Sequence, residues 1–186
     1  RIGEEIVAAL TAETAGDARR VRRRLLEEGL LPLGARGAEW FDSLWRQIES
    51  WLGQEVPATG IALKEALRRR RAAPARRHVL TTVGGLRIAG RTAAAVTAEA
   101  ACLIEARYVG DTTRHRLAVW LRHLFACAAG LSAPRLAVWR PAKDAGLRLA
   151  VLRLEPLAAA EALGRLEEMM SLYLAGQEAP LPFAMK

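Results

Sequence analysis

Glu105-Ala106-Arg107 sets an acid and a base two residues apart. With lysine in place of arginine, that spacing serves metal-assisted phosphodiester cleavage. Acids hold the divalent ions that activate water and neutralise phosphate, and the lysine polarises the nucleophile. Such a site needs several carboxylate oxygens converging at strand ends. Between Arg76 and Gly110 the sequence offers only Glu99 and Glu105. One carboxylate beside a permanently charged guanidinium predicts an ion pair, so no bound metal and no cleavage are expected.

Other chemistries lack their residues. No Gly-x4-Gly-Lys-Ser/Thr stretch is present, which excludes a P-loop, and no cofactor is expected. His78, His115 and His123 are not spaced with acids or cysteines as ligands or as a catalytic triad. They read as surface or satisfied interior side chains. Cys102 and Cys127 stand singly in apolar segments and read as buried free thiols.

Charge is the stronger signal. The net charge is +8, and the 28 basic residues include only Lys64, Lys143 and Lys186 as lysines. Guanidinium groups fork onto phosphate oxygens, and they also suit an acidic protein surface. Two runs stand out. Arg19, Arg20, Arg22, Arg23 and Arg24 line one helix, with Glu27 and Glu28 as partial neutralisers. Arg68, Arg69, Arg70 and Arg71 with Arg76 and Arg77 form a denser cluster beside Pro74, in a connection expected to be exposed. DNA or partner contact is the expectation at both.

The elements that must position these residues follow from periodicity. Helical spacing runs from Ile2 to about Leu30, with a break near Gly16 and a stop at Gly29. Leu30–Gly37 reads as a loop. Trp40, Phe41, Leu44, Trp45, Ile48, Trp51 and Leu52 mark a helix closed by Gly53, whose tryptophans are expected mostly in a core. From Arg77 the period becomes two: His78–Val83 and Leu86–Thr92 flank Gly84-Gly85, a hairpin signal.

A third strand is expected over Ala101–Val109. It puts Leu103, Glu105 and Arg107 on one face and Cys102, Ile104 and Ala106 on the other. A helix capped by Thr112 or Thr113 and ending at Gly130 follows, with Leu117, Trp120, Leu121, Leu124, Phe125 and Ala128 as its stripe. Arg135–Arg140 and Leu147–Leu154 read as strands. Pro156 fits the first position of a last helix that turns Leu163, Leu166, Met170, Tyr173 and Leu174 inward. The fold class is α/β (α+β), a mixed β-sheet flanked by helices with an N-terminal helical extension. Residues 1–60 are expected to be a helical segment packing on a core formed by 61–186.

A hairpin, a third strand and a helix in this order resemble the core of the restriction-endonuclease-like nucleases. An active member would follow Gly-Arg of the second strand with an aspartate. This chain reads Gly90-Arg91-Thr92-Ala93, so Ala93, Glu105 and Arg107 would form a vestigial site.

Four segments in order are similar to the C-terminal domain family of RecC, the gamma subunit of exodeoxyribonuclease V. They are Leu30–Gly37 (LLPLGARG), Gly84–Arg91 (GGLRIAGR), Leu117–Gly130 (LAVWLRHLFACAAG) and Met169–Phe183, which ends in Pro180-Leu181-Pro182-Phe183. Near the third strand Arg107-Tyr108-Val109-Gly110 departs from the aspartate-like or Tyr-Arg-Pro-Gly reading that the resemblance implies. The resemblance implies a nuclease-like fold without an active site, inside a RecB–RecC–RecD-type machine that resects double-strand breaks. Its implied partners are a RecB-like subunit, a RecD-like subunit and double-stranded or forked DNA. An active metal-dependent nuclease and an interaction module without DNA contact are the alternatives.

The chain opens on Arg1 and reads as a piece of a longer polypeptide. It shows no leader and no apolar run of about 18 residues. A bacterial cytoplasmic location is expected.

Overall fold

The computed structural model describes residues 1–12, 17–57, 59–72, 76–83, 85–93, 102–140 and 149–178. Of 70–72, 76–81, 90–93 and 178 it describes the backbone alone. Among these residues are six helices and five strands, an α+β fold as expected. No helix among them is long and apolar enough to cross a membrane.

The N-terminal layer is α1 (Ile2–Leu10), α2 (Ala18–Glu27), α3 (Ala35–Leu52) and α4 (Leu63–Ala72). Asp17 caps α2 by accepting from the Arg19 amide at 2.9 Å. At the other end Gly29, at φ +67°, lets the Leu30 amide reach the Leu25 carbonyl (2.9 Å) and its own amide reach Leu26 (3.0 Å). That paired closure is why a glycine stops this helix. Gly130 ends a later helix in the same way, so both expected stops hold.

The loop before α3 is shorter than expected. The helix begins at Ala35, because Gly34 turns the chain at φ +81°, ψ −166°, a region open essentially to glycine alone. Gly37 then sits on the first turn with its Cα against Pro32. A Cβ there would lie 1.8 Å from the Pro32 carbonyl oxygen, so only glycine lets the turn close.

The basic stretch at Lys64–Arg71 is likewise helical rather than an exposed connection. Leu63, Ala66 and Leu67 fall at i, i+3 and i+4, and all three are buried. That stripe anchors α4 to the interior despite its arginines.

The strands divide into two sheets. β1 (Arg76–Val83) and β2 (Leu86–Ala93) pair antiparallel as the expected hairpin, with Gly85 at φ +80°. They form a sheet of their own. The second sheet is mixed and runs β3-β4-β5. β3 (Leu103–Gly110) lies parallel to β4 (Arg135–Arg140), which pairs antiparallel with β5 (Ala150–Leu154). Parallel neighbours need a crossover, and α5 (Thr113–Ala128) supplies it. Leu136 to Trp139 of central β4 are all buried, which explains the unbroken apolar run Leu-Ala-Val-Trp.

The two faces of β3 separate as the period of two requires. Cys102, Ile104, Leu136 and Val138 join Ile6, Leu25, Phe41, Ile48 and Leu52 in one core between the sheet and α1–α4. The opposite face, with Ala137 and Trp139, packs under Val119 of α5. A third cluster fastens the hairpin, α5 and α6 (Ala159–Glu178) together through Val83, Leu124, Cys127, Ala162 and Leu166.

Being covered on two sides, α5 buries Val119, His123, Leu124, Ala126 and Cys127, while Leu117 of the expected stripe is exposed. α6 starts at Ala159 rather than at Pro156. The Glu155 carbonyl is held by His123 Nε2 at 2.7 Å and Leu157 packs into the third cluster, so the segment before the helix is anchored on α5. Tyr173 and Leu174, expected inward, are exposed.

Candidate nucleic-acid interface

Glu105 points from β3 toward α5 and is the hub of the densest charge cluster among the described residues. Arg122 of α5 forks onto it, Nε donating to Oε2 at 3.0 Å and an Nη to Oε1 at 2.5 Å. Arg107, two residues along the same face, places Nε 3.4 Å from Oε1. Arg135, at the head of β4, reaches Oε2 at 3.6 Å and donates to the Arg122 carbonyl at 3.3 Å. The Glu105 and Arg135 side chains are only 11% and 6% exposed, whereas Arg107 and Arg122 are 44% and 43% exposed. Three guanidinium charges against one carboxylate leave two positive charges on a partly buried, hydrogen-bonded frame.

Around it lie satisfied groups. His123 is buried, and because the Glu155 carbonyl can only accept, its Nε2 carries the proton. Burial pushes its imidazole below the usual range, with the Arg135 charge adding to the effect against the opposing hydrogen bond and charge of Glu155. Cys127 Sγ lies 3.6 Å from the same nitrogen, and both cysteines are buried free thiols, as expected. His115 Nδ1 sits 3.0 Å from the Gly110 carbonyl and 3.0 Å from the Thr112 hydroxyl, at the start of α5. Asp111 is clasped by Arg116, whose hydrogen bonds hold its carboxyl below the ordinary carboxylate range.

The basic runs divide on inspection of their partners. Within α2, Arg23 pairs with Glu27 at 2.9 Å, Arg24 pairs with Glu5 and Glu28, and Arg22 approaches Asp42 at 3.9 Å. Arg19 and Arg20 are exposed on the same helix, and among the described residues no ion pair to either guanidinium is seen. In α4, Arg69 pairs with Glu65 at 2.8 Å and Arg68 donates to the Ala12 carbonyl at 3.5 Å. Arg70 and Arg71 end that helix, and Arg76 and Arg77 open β1 opposite Ala93 and Thr92. The side chains of those four, and of Ala93, lie outside the described residues, as does Glu99.

Ala93, Glu105 and Arg107 are therefore not gathered on one sheet. Ala93 closes β2 in the hairpin, while Glu105 and Arg107 lie together on β3. Sequence reasoning missed Arg122 and Arg135. The signal for Arg135 was its place at the head of an otherwise apolar strand, where a buried charge demands a partner, and β3 offers one carboxylate.

An apolar cavity of about 490 Å³ adjoins the cluster. Ile88, Leu121, Arg122, Phe125, Met170 and Tyr173 are among the residues that line it. Leu172, Tyr173 and Leu174 of α6 are exposed. The tryptophans of α3 split: Trp51 is buried and donates its indole N–H to the Trp139 carbonyl at 3.2 Å, Trp45 is half-buried against Phe41, and Trp40 is exposed.

Compared with known families, residues 1–186 match the model described as the RecC C-terminal domain. No curated protein matches the chain.

Proposed function

The chain belongs to the RecC C-terminal domain family, and from that premise we propose a non-catalytic domain that scaffolds its partner subunit and guides DNA at the point where duplex is split. It is part of the RecC subunit of a RecBCD-type complex, exodeoxyribonuclease V. The observation that carries the non-catalytic reading is the state of Glu105. The carboxylate that would have to bind a metal is occupied on both oxygens by guanidinium groups. A cation would have to displace three fixed positive charges to reach it.

DNA guidance draws on the exposed arginines of α2, Arg19 and Arg20 first, and on the run Arg68–Arg71 with Arg76 and Arg77. Phosphate contacts of this kind position a duplex without reading its sequence. Scaffolding draws on α6, where the exposed Leu172 and Leu174 form an apolar surface that a RecB-like subunit would cover. A RecD-like subunit is a further partner of the same assembly, and the bacterial cytoplasm is its proposed location.

The test is made in the assembled complex with the RecB-like nuclease site inactivated. Linear DNA with Mg²⁺ or Mn²⁺ should stay intact, with or without Glu105→Ala. Product that appears and then vanishes on Glu105→Ala would replace this reading with that of an active nuclease.

A further inference from the structure

The Glu105 cluster holds more donors than its carboxylate can use. Arg122 commits Nε and one Nη to Glu105, while Arg107 only approaches it, its Nε 3.4 Å from Oε1. Each guanidinium carries five N–H donors, so these two half-exposed side chains keep donors that Glu105 does not use. Arg135 and Glu105, both buried, act as the frame that fixes their direction. Preorganised guanidinium groups lose less freedom when they bind than free surface arginines do.

We propose that Arg107 and Arg122 form a seat for two adjacent phosphates of a single DNA strand, one per guanidinium. This inference deepens the DNA-guiding reading and rests on it. Two phosphates match the two positive charges left after Glu105 is counted. A single strand fits better than a duplex because Arg122 also lines the apolar cavity, where Phe125 and Tyr173 offer rings to an unpaired base. Neither basic run in the sequence includes these residues. The seat joins a strand, a helix and a second strand that are separated along the chain.

The experiment measures binding of a fluorescein-labelled single-stranded oligothymidylate to the assembled complex across roughly 50 to 200 mM salt. Arg107→Ala with Arg122→Ala should lower affinity about tenfold. It should also shallow the log–log salt slope by about 1.4, at about 0.7 per phosphate of a single strand. Arg107→Ala alone leaves Arg122 and Arg135 on Glu105, and should shallow the slope by about 0.7. That single variant decides the matter if the double variant fails to fold.

A lowered melting temperature with unchanged slope and affinity would make the cluster purely structural and overturn the seat. Arg19→Ala with Arg20→Ala, assayed on a forked duplex, tests the underlying reading separately. Loss there with no change at Arg107 and Arg122 rejects the seat and keeps DNA guidance. No change in either pair rejects both.

Discussion

At the scale of single residues, two positions carry more than their side chains suggest. Gly37 has no room for a methyl group, since Pro32 oxygen and carbon would lie 1.8 and 2.8 Å from it. Gly37→Ala should therefore destabilise the chain by on the order of 1–3 kcal/mol, through forced movement of the Pro32 loop. A urea midpoint equal to that of the parent would sink this. His123 makes a statement about pH. The unfolded chain takes up its proton near the ordinary value of about 6.5, whereas the buried ring resists protonation until lower pH. The unfolded state thus binds more protons between the two values, and stability is full above about 6.5 and declines as pH falls. Melting temperature should drop between about pH 7.5 and 5.5, and His123→Gln should drop less over that interval. Parallel curves for the two proteins would refute it.

At the scale of elements, strand and helix periods were legible because they are local. The hairpin followed from Gly84-Gly85, the face of Glu105 from alternation, and the helix ends from Gly29 and Gly130. What alternation does not encode is which sheet a strand joins. The hairpin sits apart from β3 and is fastened to α5 and α6 through Val83 and Ile88. α4 was obscured because its arginines masked a short stripe of Leu63, Ala66 and Leu67. A hydrogen-exchange prediction belongs here. Amides of β4, paired on both sides and buried, should exchange slowest, and those of β1 and β2 should open at lower free energy. Equal protection in hairpin and central strand would contradict the two-sheet arrangement.

At the scale of the whole molecule, the candidate site was only half visible. Arginine runs drew attention to α2 and α4, where much of the charge turns out to be neutralised by Glu5, Glu27, Glu28 and Glu65. The cluster with surplus charge is assembled from Glu105, Arg107, Arg122 and Arg135, and only the first two are neighbours in sequence. Long-range pairing of that kind leaves no periodic trace. Family membership was legible because the segments that carry it include steric necessities. Gly34 and Gly37 in LLPLGARG are fixed by a positive φ and by the approach to Pro32, not by packing preference.

The bond from Trp51 to the Trp139 carbonyl gives the protein a built-in optical gauge. Both indoles are 2% exposed, one on the helical layer and one on the sheet, while Trp40, Trp45 and Trp120 are already partly wet. Parting the N-terminal helices from the sheet would hydrate Trp51 and shift its emission to the red, while the Trp139 indole, packed under Val119 on the other face, would stay dry. A strand arriving on the far side of the sheet would leave that colour alone, so light distinguishes docking from dismantling.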